Sequence, residues 1–324
     1  MEGQDRYLWL LPSHLRSLFA EANLNAERLQ EIRIRVSRPL TVCYDGVEYG
    51  ISGTGQLCDA WEGYPMAAAD VKETLEQLTG YSVYAYDQEI KQGFLTVEGG
   101  HRAGIVGKVI CEGGEVQCIR YVSGLNIRLA HQRKGCAEQI LPYLIGQDSI
   151  YHTLILSPPG GGKTTILRDL IRLIANGTEK LSGQNVGVVD ERSELAGSYR
   201  GEAQNDLGFR CDVLDGCPKA EGMMMLLRSM APQVIAVDEL GSERDRYAVK
   251  QVFYCGCRLL ATAHGTSLED LRRNPLLKEL VEERMFERYI ILDGRMHPGH
   301  VCGILDGTEK LLFDAAGERG GQAG

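Results

Sequence analysis

The sequence predicts an α/β core built on a parallel sheet, preceded by a smaller α+β domain. Three observations carry this. From His152 onward, apolar strand patterns alternate with helical ones, as helices packed on a parallel sheet require. Before about Leu129 the chain instead mixes short helices with glycine-punctuated, alternating stretches that read as a meander. The first strand of the second region runs into "SPPGGGKTT", Ser157 to Thr165, a glycine-rich turn ahead of a lysine and a helix.

A length of 324 residues suits two domains. The pattern places an α+β domain over 1–130, a linker that becomes a helix over 131–146, the α/β domain over 147–314 and a flexible tail over 315–324. In the first domain, "RLQEIRIRV" sets Ile32, Ile34 and Val36 on one face and Arg33 and Arg35 on the other, a half-buried strand. "AADVKETLEQLTG" carries Val71, Leu75 and Leu78 at helical spacing, with Gly80 as a C-cap. Gly93 to Tyr121 reads as strands turning at Gly113-Gly114. "HQRKGCAEQILPYLIG" then connects the domains as a helix ending at Gly146.

In the second domain the expected strands are Thr153–Ser157, Val186–Asp190, Gln233–Glu239, Cys257–Ala263 and Arg288–Gly294. The helix after the glycine turn presents Ile166, Leu167, Leu170, Ile171 and Ile174 as an apolar stripe, with Arg168, Asp169 and Arg172 facing away. Asn274 before Pro275 marks a later helix start.

Strand, glycine turn and helix in this order deliver unpaired N–H groups and a positive dipole end to an anion. Gly160, Gly161 and Gly162 let the backbone approach phosphate oxygens, Lys163 supplies charge for the β- and γ-phosphates, and the Thr164 hydroxyl is placed for Mg²⁺. The P-loop pattern has glycine where this chain has Ser157, but phosphate is held later in the loop. A flexible loop before a helix is the plainer reading; the flanking strand and helix argue against it.

Hydrolysis needs more than a phosphate cradle. "VIAVDE" ends an apolar strand with Asp238 for the metal shell and Glu239 to polarise water. Two other strands end in polar groups: Asp190 and Glu191 in "VGVVDERSE", and Thr262 and His264 in "LLATAHGTS". In an open parallel sheet ligands sit at these carboxyl ends, which gives His264 a γ-phosphate-sensing role.

Composition narrows the partners. The net charge of −9 gives no general pull toward nucleic acid or anionic membrane. The short apolar run Leu8–Leu11 before Pro12 is no secretory signal, and no apolar run is long enough to span a bilayer. Ten cysteines without a C-x-x-C, of which Cys255 and Cys257 are closest in a stretch that reads as buried, fit reduced, packed thiols better than a zinc site.

These motifs resemble known ones. "DERSE", "LLRSMAPQVIAVDE" and "LLATAHGTS" are similar to the Asp box, Walker B and His box of the secretion ATPases. With "SPPGGGKTT", "EIRIRVSRPL", "GHRAGIVGKV" and "SGLNIRLA", the long stretch from Glu191 to Pro232 resembles the stage III sporulation protein AA family, over nearly the whole chain. The resemblance implies a RecA-like P-loop NTPase core, ATP and Mg²⁺ as ligands, and a six-subunit ring. It further implies a mother-cell cytoplasmic ATPase recruited peripherally to the outer forespore membrane, where it would energise a channel with the other stage III A membrane proteins. Carried over by motif, nucleotide binding falls on Pro159, Gly160, Gly161, Gly162, Lys163, Thr164 and Thr165, and catalysis on Glu191, Glu239 and His264, with Thr164 and Asp238 for Mg²⁺.

Two positions depart from the superfamily: Asp238 stands where glycine is usual, and Gly241 where arginine is usual. The missing arginine makes Arg102, Arg120 and Arg128 candidates for completing the site, against the plainer reading of solvated strand-face charges. A RecA-like nucleic-acid-dependent ATPase is the competing class, disfavoured because the basic cluster Arg128 to Lys134 is short and lacks aromatics. A slow nucleotide-gated scaffold is a third, opposed by the intact Asp238-Glu239 pair.

Overall fold

The structure, a computed structural model, describes residues 5–293 and 298–315. Gly294, the last residue of an expected strand, and the expected tail beyond Ala315 lie outside the described residues. The chain forms two compact units, Met1–His131 with Gly197–Gln204, and Gln132–Ala196 with Asn205–Gly324. Gly197–Gln204 thus counts with the first unit although it follows the acidic box of the second.

In the first unit the elements are α1 (Asp5–Leu8), α2 (Ser13–Ala22), β1 (Leu29–Arg35), β2 (Thr41–Tyr44), β3 (Val47–Ile51), β4 (Leu57–Cys58), α3 (Ala68–Leu78), α4 (Asp87–Lys91), β5 (Phe94–Val97), β6 (His101–Glu112) and β7 (Glu115–Arg128). The strands form one antiparallel sheet in the order β4-β3-β2-β1-β7-β6-β5. Ile32 and Ile34 are buried in a core with Tyr7, Leu15, Phe19, Leu95 and Ile127, which is why β1 alternates. α3 starts where the Ala67 N–H donates to the Asp70 carboxylate at 2.6 Å, and it ends before Gly80 at φ +56°. Gly113 and Gly114 turn β6 into β7 with positive φ, as the hairpin requires. Gly197–Gln204 is tied within this unit by the Tyr86 hydroxyl donating to the Tyr199 hydroxyl at 3.2 Å and the Gly99 N–H donating to Gln204 Oε1 at 2.9 Å.

The second unit contains α5 (Leu141–Leu144), β8 (Thr153–Ser157), α6 (Lys163–Asn176), β9 (Val186–Asp190), β10 (Cys211–Asp215), α7 (Lys219–Ser229), β11 (Val234–Val237), α8 (Glu243–Tyr254), β12 (Arg258–His264), α9 (Leu268–Arg273), α10 (Pro275–Glu282), β13 (Arg288–Leu292), β14 (Val301–Asp306) and β15 (Leu311–Asp314). The sheet order is β10-β9-β11-β12-β8-β13-β14-β15, parallel from β10 to β13 and antiparallel beyond. Successive residues of the central strands enter two different cores. Ile155, Val188, Ala236 and Leu260 pack with α6, while Leu154, Leu156, Val189, Ile235 and Val237 pack with α7 and α8. A strand covered on both faces is continuously apolar, and these are the strands the sequence made visible.

Three expectations need correction. Cys255, in a stretch that reads as buried, is exposed, and only Cys257 of that pair is buried. The helix expected to end at Gly146 is only the single turn α5, with Pro142 in its first turn. Arg168, Asp169 and Arg172 do not face solvent: Asp169 is buried, accepts the Ala137 N–H at 2.9 Å, and holds Arg172 Nη2 at 2.7 Å. An apolar stripe marks one buried face; it does not exclude a second, polar one satisfied by hydrogen bonds.

His152 offers a test of this packing. Its ring stacks on Phe253 at 3.8 Å between centroids, and Nδ1 accepts the Leu259 N–H at 3.2 Å. Burial, helped by the charge of Arg258, lowers its pKa from 6.5 to about 4. With the folded value below the unfolded one, the imidazole is neutral in the fold; its contribution is complete above pH 6.5 and is lost as pH falls toward 4. Wild type should therefore lose on the order of 2–3 kcal/mol more than His152→Gln over that interval, read as the difference in urea-unfolding free energy. Equal losses would remove His152 as the cause.

Candidate functional site

The site lies at the carboxyl ends of β8, β9, β11 and β12. Gly160 and Gly162 adopt φ of +73° and +92°, open to glycine at little cost, and Gly162 caps α6. Gly161 is needed for space: a Cβ there would fall 2.2 Å from Ser157 Oγ. The Ser157 hydroxyl itself donates to the Pro158 carbonyl at 2.9 Å. Ser157 therefore fills the base of the loop, and its departure from the pattern is structural.

Lys163 begins α6. Its Nζ lies 3.5 Å from Glu239 Oε2 and 3.7 Å from Asp238 Oδ1. The Thr164 hydroxyl donates to Asp238 Oδ2 at 2.7 Å. Ladder register explains the convergence: Val237 pairs with Val189 on one side and Ala261 on the other, so Asp238 follows at the same level as Asp190 and Thr262. His264 lies opposite Ser157 in the β12–β8 ladder, at the foot of the P-loop. Its Nε2 is 3.3 Å from Glu239 Oε1. Glu239 holds φ +59°, an uncommon conformation for a residue with a side chain.

Sequence reasoning left four supporting residues without their roles. Thr262 was visible only as a strand end; its buried hydroxyl donates to Asp238 Oδ1 and accepts the Glu239 N–H at 2.8 Å, fixing both acids. Arg192, hidden in an acidic motif, places Nη1 3.2 Å from Glu239 Oε2. Lys219, at the start of α7, pairs with Glu191. Arg168 donates from Nε to the Leu195 carbonyl at 2.8 Å and from Nη2 to the Glu194 carbonyl at 2.5 Å, tying the acidic-box loop to α6.

The two acids that end β9 have separate tasks. Asp190 is buried and accepts N–H bonds from Glu194, Leu195 and Ala196 at 2.8–3.0 Å, so it folds the loop. Burial pushes its carboxyl up, against those three donors. Glu191, the next residue, pairs instead with Lys219. Thr165 follows in α6, partly buried. Arg102, Arg120 and Arg128 belong to the first unit: Arg102 sits over the Phe94 ring at 3.8 Å, Arg128 pairs with Glu31 at 3.8 Å, and Arg120 lies opposite Lys108 in the β6–β7 hairpin.

Thr164 and Asp238 offer a hydroxyl and a carboxylate, hard oxygen donors of the kind Mg²⁺ selects. The donor set fits the ion.

The family described as "Sporulation stage III, protein AA" matches residues 1–312 of this chain. The chain belongs to that family. A relative, the stage III sporulation protein AA of Bacillus subtilis (strain 168), is 43% identical over 289 residues, 89% of this chain and 90% of that one. The fold is a RecA-like P-loop NTPase core preceded by a smaller α+β domain. The X-ray structure of the ATPase DotB from Legionella pneumophila superposes with a TM-score of 0.53 at 12% identity, over 84% of this chain and 74% of that one. The crystal structure of the pilus retraction motor PilT with bound ADP superposes with a TM-score of 0.51 at 13% identity, over 82% and 74%.

Proposed function

We propose that this sporulation family member is a Mg²⁺-dependent ATPase motor. The observation that carries the proposal is the convergence of Lys163, Arg192 and His264 on the Glu239 carboxylate, beside the Thr164–Asp238 pair at one P-loop edge. The likeness in fold to a retraction motor crystallised with ADP supports it.

In this reading ATP phosphates settle on Gly160–Thr165, with Pro159 stiffening the entry, and Lys163 turns from the two acids to the β- and γ-phosphates. Mg²⁺, when bound by Thr164 and Asp238, neutralises phosphate charge. Glu239 accepts a proton from the attacking water as the bond between the γ-phosphorus and the bridging oxygen breaks and ADP departs. His264 senses the γ-phosphate, and Glu191, held by Lys219, orients groups around it.

In this reading 147–314 is the ATPase domain and 1–130 the smaller N-terminal domain, whose Arg102, Arg120 and Arg128 are the candidate arginines. Six chains form the working ring. Among the described residues no helix is long and apolar enough to cross a membrane; the motor works from the mother-cell cytoplasm, recruited by stage III A membrane proteins to the outer forespore membrane, where it energises their channel.

The test is phosphate release per subunit measured against protein concentration. A rate that rises with concentration and vanishes with a chelator supports a Mg²⁺-dependent site completed between subunits. A flat rate overturns the ring, negligible turnover at every concentration favours a scaffold, and stimulation by single-stranded nucleic acid promotes the competing class.

A further inference from the structure

The neck of the β13–β14 hairpin brings together three side chains that the ATPase reading does not use. Asp293 leaves β13, His300 enters β14, and Cys302 lies on it. The Asp293 N–H donates to the His300 carbonyl at 2.9 Å, so these two oppose each other across the hairpin. Cys302 is the extra residue of a bulge: Leu292 pairs with Val301, and Ile291 skips to Gly303. Bulges re-aim side chains. One ligand atom from each residue, a carboxylate oxygen, an imidazole nitrogen and the sulfur, lie within 4.8 Å of one another, and all three residues are partly buried.

We propose that Asp293, His300 and Cys302 form a binding site for a transition-metal dication of the zinc class. The chemistry of the donors decides the class. A thiolate and an imidazole suit zinc and its neighbours, whereas Mg²⁺ takes oxygen ligands, as Thr164 and Asp238 provide. Around a tetrahedral ion, metal–ligand bonds of roughly 2.0–2.3 Å put donor atoms about 3.3–3.7 Å apart, within reach of small side-chain rotations from the present spread. Three protein ligands leave a fourth position for water or another donor, a coordination zinc accepts.

The neck is also mechanically placed. Farther along the hairpin the Gly299 N–H donates to the Gly161 carbonyl at 2.8 Å, and a Cβ on Gly162 would lie 2.3 Å from the Gly299 nitrogen. A metal at the neck cross-links the two strands behind that P-loop contact. It would act on the P-loop as a brace, with no part in phosphate chemistry.

The full chain, purified without a polyhistidine tag and freed of metal, is titrated with Co²⁺ and then Zn²⁺. The expected result is saturation at one Co²⁺ per chain, a thiolate-to-cobalt charge-transfer band in the near ultraviolet, and loss of that band when Zn²⁺ displaces the ion. Cys302→Ser removes the band, while Cys255→Ser, at an exposed thiol elsewhere, leaves it. Asp293→Asn and His300→Asn each weaken Co²⁺ binding by at least about tenfold. Absence of the band from the wild-type chain overturns the proposal whatever the variants do, as does a band of unchanged affinity in Cys302→Ser. Oxygen donors at the Mg²⁺ site cannot produce the band, so the result is independent of ATP turnover.

Discussion

Lys163→Ala lowers ATP turnover at least about a hundredfold and weakens nucleotide binding at least about tenfold, because one preorganised charge on a phosphoryl group is worth that much in a water-poor site. The loss is specific to the ligand. Lys163 is an ion-pair partner of Asp238 and Glu239, and after its removal Glu239 keeps Arg192 and His264 while Asp238 keeps the Thr164 and Thr262 hydroxyls. No acid is left without a partner, so the variant folds, and circular dichroism should match wild type. Lys163→Arg does not restore activity: a planar guanidinium cannot replace a compact ammonium at the head of a tight loop. Calorimetric titration with a non-hydrolysable ATP analogue, together with phosphate release, reads both effects. Unchanged binding and turnover would move the nucleotide away from this loop.

How much of this was legible follows from where each signal is stored. The doubly buried strands could be read because residues pointing to either face are buried, giving apolar-rich runs such as Thr153–Ser157 and Val186–Asp190. β10 and β15 sit at the sheet's two edges: "CDVLD" is half-exposed and broken by acids, and the three apolar residues of "LLFD" are too short a run, on a mostly exposed strand, to mark one. The phosphate loop, Asp238, Glu239 and His264 are short-range motifs on strand ends, and the ladder register alone brings them together. Arg192 and Lys219 could not be read this way. Their partners lie 47 and 28 residues away, and which carboxylate each meets depends on how the loop after β9 folds over Asp190. The hairpin cluster was hidden more deeply, since the spacing of Asp293, His300 and Cys302 matches no metal motif and a bulge sets the direction of the thiol.

Glu239→Gln separates binding from chemistry. The substitution keeps the size of the side chain, and it leaves the backbone N–H that holds this residue to the Thr262 hydroxyl at 2.8 Å. It removes the negative charge that engages Lys163 at 3.5 Å, Arg192 at 3.2 Å and His264 at 3.3 Å. In wild type a γ-phosphate must compete with that carboxylate for Lys163 and Arg192; in the variant it does not. Affinity for ATP therefore stays equal or rises several-fold, since the cations are already free to meet phosphate. Turnover moves the opposite way, falling by about 10²–10⁴, because an amide cannot accept the proton of the attacking water. The paired signs distinguish a proton acceptor from a residue that merely shapes the loop, whose loss would lower binding and rate together. Arg192→Ala supplies the control. If Arg192 contacts the phosphate once Glu239 releases it, the single variant loses turnover with Glu239 intact, and adding it to Glu239→Gln reverses the gain in affinity. Near-wild-type hydrolysis by Glu239→Gln would transfer the proton-accepting role to Glu191, whose Lys219 partner would then have to release it during the cycle.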